Sequence, residues 1–253
     1  MQAMIDHYVT AIHAATDTKI PLSICGGGTK RFYGNAIHEG STPLDMTGYH
    51  GIVDYEPTEL VMTARAGTSL AELEAVLEQH NQMLAFEPPY FDATATLGGC
   101  IAAGLSGPRR VAAGAVRDFV LGVRMLDGKG RDLSFGGQVM KNVAGYDVSR
   151  LMVGALGTLG ILLEVSLKVL PKPVHEMTLR MSMDDVKAIK RMNEWAGKPL
   201  PISATCYVSG ELFVRLSGAE SAVRAARQRL GGDEEHHGDA FWHSIRNQTH
   251  DFF

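Results

Sequence analysis

The sequence predicts an α+β fold, with a larger glycine-rich part followed by a smaller module. Over residues 43–65, short strands separated by turn residues follow one another instead of alternating regularly with helices. Glycine clusters stand directly beside apolar strands at residues 26–28 and 154–160. After residue 174 the predicted order becomes β-α-β-β-α, which is most of a ferredoxin-like unit.

Composition and charge narrow the class of protein. The 253 residues are 45% hydrophobic and 21% charged, as in globular proteins that bury a core. The formal net charge of −4 offers no basic field for nucleic acid or anionic lipid. No apolar run approaches the roughly 20 residues of a membrane helix, and the first residues lack the pattern of a signal peptide. Three widely spaced cysteines indicate neither a disulfide framework nor a zinc site, so we expect a cytoplasmic protein.

The chain opens with a predicted helix and strand that lead into a triple-glycine turn. Apolar residues recur at helical spacing over residues 2–16, and residues 21–25 form a short apolar strand. Gly-Gly-Gly-Thr-Lys follows at residues 26–30, where consecutive main-chain N–H groups suit an anionic oxygen. The spacing matches neither a Walker loop nor a Gly-x-Gly-x-x-Gly dinucleotide motif. A flexible turn is the competing interpretation, but the apolar strand before the glycines favours contact with a phosphate.

Strands are then predicted at residues 43–46, 51–55 and 60–65, followed by a helix over residues 68–80. Thr68 or Ser69 can cap this helix, and Glu72 follows at capping-box distance.

A long run of small residues occupies positions 88–118. Bulky polar side chains are almost absent from it, and glycines recur through it. Two interpretations stay open on this stretch alone. It forms either a tightly packed helix hairpin or a backbone that approaches a flat or phosphate-bearing ligand closely.

The remaining helices and strands are predicted from turn residues and from the periodicity of apolar residues. Strands at 119–126 and 131–135 flank the hairpin turn Asp-Gly-Lys-Gly, and a long strand covers 161–170. In the smaller module we predict strands at 177–181, 202–208 and 212–216 and helices at 182–195 and 219–230. The tail, residues 231–253, is polar and then aromatic. We expect its aromatic residues to dock on a partner or to precede further chain.

Four motifs in this order resemble one family. They are Gly26–Lys30, Leu97–Cys100, Gly114–Asp118 with Val120–Gly122, and Lys141–Asp147 followed by Gly157–Ile161. Together they resemble the FAD-binding domain of the vanillyl-alcohol oxidase/p-cresol methylhydroxylase (PCMH) superfamily, and within it the E subunits of three-subunit glycolate oxidases. The resemblance implies a two-subdomain PCMH-type FAD-binding domain at residues 1–171. Residues 172–253 would form a small ferredoxin-like α+β module similar to a cap, shorter than the C-terminal domain of related catalytic subunits.

The resemblance also implies which residues hold FAD. Residues 26–30 would wrap the pyrophosphate, residues 97–107 would run along the pyrophosphate and the flavin edge, and Gly114 would lie near the isoalloxazine–ribityl region. Main-chain donors would hold the cofactor, which explains why these positions are small. The predicted cofactor-binding residues are Cys25, Gly26, Gly27, Gly28, Thr29, Lys30, Pro89, Thr96, Leu97, Gly98, Gly99, Cys100, Ala103, Gly104, Gly107, Ala113, Gly114, Gly160 and Ile161.

The sequence departs from the family pattern at two of these positions. Relatives often carry Asn where this chain has Cys100 and Gly104, so two side-chain hydrogen bonds to FAD would be missing. Some members of the superfamily attach flavin covalently through His, Tyr or Cys. Thr29 and Lys30 stand where such a His is expected, and Cys100 is interpreted as a small buried filler. We therefore predict non-covalent FAD.

The implied function is that of the FAD-binding subunit of a glycolate (2-hydroxy acid) oxidase or dehydrogenase. It would work with a flavin-containing catalytic subunit and an iron–sulfur subunit, through which it could sit at the periphery of the inner membrane. Oxidation of a 2-hydroxy acid needs a base for the hydroxyl and a cation for the carboxylate. Arg109, Arg110 and Arg117 are the best candidate cations, although Arg117 and Asp118 could form a structural ion pair.

No catalytic base is identified. Neither is a metal site, because the adjacent His236 and His237 lie in a charge-rich stretch without helical i, i+4 spacing.

Two alternatives remain open at this stage. The chain could be a non-catalytic scaffold that keeps the fold but binds flavin weakly or not at all. It could also be a glycine-rich module for ATP or NAD, against which the absent Walker and Rossmann spacings count.

Overall fold

The computed structural model describes residues 1–138 and 145–253, which form two compact units. The first unit comprises Met1–Leu84, Tyr90–Leu105 and Ala115–Leu170, and the second comprises Ala85–Pro89, Ser106–Gly114 and Pro171–Phe253. The sequence suggested a single division after residue 171. In the structure two short segments from the earlier part of the chain belong to the second unit. These short segments have no helical or strand periodicity in their sequence, so the sequence does not indicate which unit they belong to.

The helices and strands mostly follow the predicted order. In chain order they are α1 (Gln2–Thr18), β1 (Leu22–Cys25), β2 (Thr42–Asp45), β3 (Ile52–Glu56), β4 (Val61–Arg65), α2 (Leu70–Glu78), β5 (Gln82–Met83), α3 (Leu97–Ala103), α4 (Arg110–Ala113), a 3₁₀ turn (Val116–Asp118), β6 (Val120–Leu126), β7 (Asp132–Gly136), α5 (Val148–Leu151), β8 (Ile161–Lys168), β9 (Leu170–Pro171), β10 (His175–Ser182), α6 (Asp185–Ala196), β11 (Ile202–Val208), β12 (Glu211–Gly218), α7 (Glu220–Leu230), β13 (Asp233–Glu234) and α8 (Gly238–Arg246).

The first unit is built on a five-stranded antiparallel sheet with the strand order β3-β4-β8-β6-β7. The apolar strand β8 lies at its centre, where both of its faces can be covered. A separate parallel pair, β1 and β2, aligns Leu22 with Thr42 and Cys25 with Asp45. Helix α1 packs its apolar face into a core cluster that contains residues of β2, β6 and β8. This packing anchors the pair β1–β2, and with it the glycine turn that follows β1.

Helix α2 begins as the capping pattern predicts. The Ser69 hydroxyl accepts a hydrogen bond from the N–H of Glu72 at 3.1 Å, so Ser69 rather than Thr68 is the N-cap. The Thr68 hydroxyl is buried and instead bonds the main chain of Gly51.

The run of small residues at 88–118 is partly helical. It contains α3, α4 and the 3₁₀ turn. Gly98 in α3 packs so closely on Ala66 that an added Cβ would lie 2.8 Å from the Ala66 Cβ. Tight helix packing therefore explains some of these small residues, while others face the cavity described below.

The second unit contains an antiparallel sheet with the order β11-β12-β10-β13. Helices α6 and α7 bury apolar residues against one face of this sheet, in a cluster with Leu179, Leu212 and Val214. Because side chains alternate along a strand, Phe213 and Arg215 point to the opposite face. Helix α8 covers that face.

The aromatic tail corrects one expectation. Trp242 of α8 is 3% exposed and donates to the Thr178 hydroxyl at 2.9 Å, and Phe241 stacks on Phe213 with ring centroids 4.0 Å apart. For Phe241 and Trp242 the expected docking on a partner was wrong, because the nine-residue amphipathic helix that packs them inside the unit went unrecognised. For the rest of the tail the expectation stays a prediction. Phe252 and Phe253 are exposed.

Among residues 1–138 and 145–253, no helix has both the length and the apolar character needed to cross a membrane.

Candidate functional site

A cavity of about 430 Å³ opens in the first unit at the end of β1. This volume lies within the range of small-molecule and cofactor sites, about 300–1,000 Å³. The glycine turn at residues 26–30, the loop at residues 31–41, the first turn of α3 and the segment 152–160 contribute to its walls. Apolar side chains, among them Ile24, Met152 and Leu162, line much of the remainder.

The glycine turn presents main-chain donors to this cavity. Among the hydrogen bonds of the described residues, none is donated by the main-chain N–H of Gly26, Gly27, Gly28 or Thr29. Main-chain N–H groups in partly enclosed positions need an acceptor. An anionic ligand oxygen would supply one.

Packing against a neighbouring segment makes glycine necessary in this turn. A Cβ on Gly27 would lie 1.7 Å from the Thr94 carbonyl oxygen, and one on Gly26 would lie 2.2 Å from Thr96 Oγ1. The Thr94 hydroxyl also donates to the Gly27 carbonyl at 3.1 Å. Gly28 has a φ of +69°, which glycine adopts without strain. The first two glycines thus allow the turn to sit against residues 94–96, and the third bends it.

Helix α3 brings a second pair of glycines to the cavity. Its N-cap, Thr96, accepts a hydrogen bond from the N–H of Gly99 at 3.3 Å. Thr96, Gly98 and Gly99 all line the cavity, whereas Cys100 is 1% exposed in the protein interior.

The charge on the cavity wall is positive. The cations Lys30 and Arg31 line it, and none of the described lining residues is Asp or Glu. Burial lowers the pKa of the half-buried Lys30 ammonium, whose Nζ lies 5.4 Å from the centroid of the Phe91 ring. The exposed Arg31 donates from Nη2 to the Cys25 sulfur at 3.2 Å. The described wall therefore attracts an anion and repels none.

The structure brings eleven of the nineteen predicted binding residues to this cavity wall. They are Cys25, Gly26, Gly27, Gly28, Thr29, Lys30, Thr96, Gly98, Gly99, Ala103 and Gly160.

Four further predicted residues of the first unit do not line the cavity. Leu97 and Cys100 are buried within α3, and Gly104 ends that helix against Gly154. Ile161 lines an adjoining groove of about 390 Å³, to which Gly160 also contributes. The roles of these four residues stay predictions.

The last four predicted residues, Pro89, Gly107, Ala113 and Gly114, belong to the second unit. Gly107 is fixed there by packing, because a Cβ would lie 2.4 Å from the Glu87 carbonyl oxygen. Gly114 follows α4 with a φ of +103°. Their contact with a cofactor likewise stays a prediction.

Sequence reasoning missed two parts of the cavity. The first is the loop after the glycine turn, from which Arg31, Tyr33, Asn35 and Ile37 contribute. No motif marks this loop. The only available signal was its position between the turn and β2. The second part is Met152 with residues 155–158. The sequence showed the glycine cluster at residues 154–160, but residues 152–158 were not predicted to bind the cofactor.

One motif of the resemblance lies largely outside the described residues. Positions 141–144 of Lys141–Asp147 are not described. Asp147, which is described, caps α5 by accepting from the N–H of Arg150 at 3.0 Å.

The second unit contains a cluster of buried charges that changes the interpretation of Arg109. Arg109 and Arg215 are buried, and both contact Glu87 and Glu176. The Glu87 carboxylate also accepts from the N–H of Arg109 at 2.7 Å. Arg109 is therefore committed to carboxylates of the protein, and its selection as a substrate-facing or flavin-facing cation was wrong. Arg110 and Arg117 are exposed.

The Glu176 carboxylate of this cluster is stabilised in its charged form. Burial alone raises the pKa of Glu176, but a hydrogen bond from the Ser217 hydroxyl and the Arg109 guanidinium at 2.6 Å outweigh it, so the pKa lies below its usual value. The ring of Trp242 covers Arg215 at 5.1 Å.

A model of the FAD binding domain family matches residues 3–148. The chain belongs to this family of FAD-binding domains. The predicted fold and the predicted cofactor, FAD, are thereby confirmed, while the non-covalent mode of attachment stays a prediction.

Individual relatives of this FAD-binding chain are similar over different lengths. The chain is 50% identical over 242 residues to glycolate oxidase subunit GlcE of Escherichia coli (strain K12), which covers 96% of this chain and 68% of that protein. It is 30% identical over 173 residues to glycolate oxidase subunit GlcD of Bacillus subtilis (strain 168), covering 68% of this chain and 37% of that one. A solved structure of alkyldihydroxyacetonephosphate synthase superposes with a TM-score of 0.71 at 16% identity, over 95% of this chain and 53% of the other. The last similarity shows the fold alone.

The cavity fits the cofactor of the FAD-binding family. Its described wall combines N–H groups without a protein acceptor, two cations and apolar side chains, which is the chemistry that a pyrophosphate and attached ring systems require.

Proposed function

We propose that this chain is the FAD-binding subunit of a glycolate (2-hydroxy acid) oxidase or dehydrogenase complex. In it the chain takes part in the oxidation of glycolate to glyoxylate and in electron transfer. The observation that carries the proposal is the 50% identity to glycolate oxidase subunit GlcE over 96% of the chain. The cation-lined cavity beside the glycine turn supports it independently.

In this proposal FAD is held without a covalent bond. The N–H groups of Gly26, Gly27, Gly28 and Thr29 bind the pyrophosphate, and the first turn of α3 borders it. When bound, FAD supplies a two-electron acceptor for the oxidation. The chain's own residues bind and orient the cofactor and exclude water from its apolar part. The half-buried Lys30 adds positive charge beside it.

We further propose that other subunits complete the reaction. The name of the similar Escherichia coli protein is that of a subunit, which supports partner subunits in general. A flavin-containing catalytic subunit and an iron–sulfur subunit are the specific partners proposed, and they would hold the complex at the cytoplasmic side of the inner membrane.

Spectroscopy of the purified protein tests the proposal. We expect flavin absorbance, or its appearance on reconstitution with FAD, together with a higher melting temperature when FAD is added. After acid precipitation the yellow colour should move to the supernatant, since the bond is not covalent. A colourless protein that FAD neither stabilises nor colours would leave the scaffold alternative standing.

A second experiment tests the assignment to a complex. Tagged protein should co-purify from its native cells with a second flavoprotein and an iron–sulfur protein, and the preparation should reduce an artificial acceptor with glycolate. A chain that binds FAD but purifies alone, without glycolate-dependent reduction, would retain the cofactor assignment and overturn the assignment to a complex.

A further inference from the structure

Two adjacent cations, Lys30 and Arg31, line the cavity, and they differ in the number of contacts that their side chains make with the protein. The Lys30 ammonium donates to the Thr29 hydroxyl at 3.2 Å and to the Tyr90 carbonyl at 3.5 Å, and it lies over the Phe91 ring. It is half-buried, so moving it toward a ligand would break these contacts.

Arg31 is held much more loosely. Its guanidinium carries five N–H donors, and its hydrogen bond is to the Cys25 sulfur, a weak acceptor. Among the described residues, no carboxylate pairs with it. The side chain is exposed, so its movement costs no buried contact.

The geometry of the turn places Arg31 near the unpartnered main-chain donors. The N–H of Arg31 donates to the Gly28 carbonyl at 3.4 Å, which folds the chain back after the glycines. A Cβ on Gly28 would lie 3.3 Å from Arg31 Nε, so the guanidinium passes directly over the turn. A planar guanidinium binds phosphate oxygens through two parallel hydrogen bonds, which an ammonium cannot do.

We propose that Arg31, and not Lys30, is the side chain that binds the FAD pyrophosphate. It exchanges its contact with the Cys25 sulfur for phosphate oxygens, while Lys30 keeps its contacts with Thr29 and Tyr90. This inference rests on the proposed function, because it requires FAD in this cavity.

The dissociation constant of FAD, measured by flavin fluorescence at two salt concentrations, tests the inference. Arg31→Gln should weaken FAD binding about 10- to 100-fold, the usual effect of losing a hydrogen-bonded charge, and should reduce the dependence of binding on salt. Arg31→Lys should recover part of the loss. Lys30→Gln should weaken binding by a smaller factor than Arg31→Gln does, because only the charge of Lys30 acts on the ligand, and the exposed Arg224→Gln, in α7 of the second unit, should not change the dissociation constant. Inorganic pyrophosphate should compete with FAD for the wild-type protein and much less for Arg31→Gln.

The outcomes separate the inference from the proposed function. If the wild-type protein binds FAD and Arg31→Gln binds it equally well, or if Lys30→Gln causes the larger loss, the inference is wrong and the proposed function stands. A wild-type protein without affinity for FAD overturns both. Circular dichroism and melting temperature of each variant exclude a folding defect, which the exposure of Arg31 makes unexpected.

Discussion

The two units use arginine in opposite ways. In the first unit Arg31 stands at a cavity whose described wall contains no carboxylate, and its guanidinium donates to a cysteine sulfur. In the second unit Arg109 and Arg215 are buried, paired with Glu87 and Glu176, and Arg215 lies under the ring of Trp242. The first arrangement leaves charge available for a ligand, and the second uses charge to join parts of one unit.

The comparison shows why residue type alone selects the wrong cation. Arg109 stands in the small-residue stretch and was a natural candidate to face a substrate, yet glutamates far away in sequence neutralise it. Arg31 belongs to no recognised motif, but of the two cations at the described cavity wall, Lys30 and Arg31, it has the side chain with fewer protein contacts. Whether a charge can bind a ligand depends on the partners that the fold supplies, and in the buried cluster these lie up to 128 residues apart.

The largest expected effect comes from adding a methyl group at Gly27. A Cβ there would overlap the Thr94 carbonyl oxygen at 1.7 Å, so the turn must move and its N–H groups must change direction. We expect Gly27→Ala to abolish measurable FAD binding and to lower the free energy of unfolding by about 1–3 kcal/mol. Equilibrium titration with FAD and urea unfolding measure the two effects.

The matched control is Gly128→Ala, because a Cβ at Gly128 meets no atom within 4 Å. It should leave the free energy of unfolding unchanged within about 0.5 kcal/mol. Normal affinity for FAD in Gly27→Ala would mean that this turn does not hold the cofactor.

The buried charge cluster of the second unit should respond in stability. Glu87 contacts both buried arginines and the N–H of Arg109. Replacing it with the neutral Gln leaves two buried guanidinium groups facing Glu176 alone, which should lower the free energy of unfolding by about 3 kcal/mol. Urea unfolding followed by circular dichroism measures the change.

The control for this variant is Glu220→Gln, which removes an exposed ion pair with Arg224. Exposed pairs contribute roughly 0–1 kcal/mol, so a small effect is expected. Equal effects of Glu87→Gln and Glu220→Gln would show that the cluster does not support the fold.

Periodic segments of the fold were predictable from sequence. Strand β8 and helices α2, α6 and α7 carry apolar residues at regular spacing, and the capping pattern located the start of α2. Helices α3 and α4 lie in the stretch for which a helix hairpin was one of two open interpretations, and their bounds were not predicted, because a run of Gly and Ala offers no contrast between an apolar and a polar face. Helix α8 was not predicted, because it is short and follows a charge-rich segment.

The candidate site was predictable only where local sequence determines it. The turn at residues 26–30 follows directly from a strand and a glycine run. The loop that completes the wall and the pairing of Glu87 with Arg215 depend on contacts distant in sequence. No local pattern encodes such contacts, so these features emerge only from the folded chain.

The smallest expected effect is on stability at acid pH, and it tests how much Glu176 contributes to the buried charge cluster of the second unit. The Ser217 hydroxyl and the Arg109 guanidinium hold the pKa of Glu176 below its usual value of 4.5, against the opposing effect of burial. The unfolded chain therefore takes up a proton at this residue at a higher pH than the folded protein does. Stability from this group is fully present at neutral pH and is lost as the pH falls from about 4.5 through the lower folded-state pKa.

Because the Glu176 side chain is 35% exposed, we expect a contribution of roughly 1 kcal/mol or less. The measurement is the loss in the free energy of unfolding between pH 7 and pH 4, compared between the wild type and Glu176→Gln. Other carboxylates with lowered pKa values, such as Asp127 at about 2, are common to both proteins and cancel in this difference. A smaller loss in Glu176→Gln would assign the acid sensitivity to the paired charges of the second unit. Equal losses would show that the charge of Glu176 does not stabilise the arginine pair.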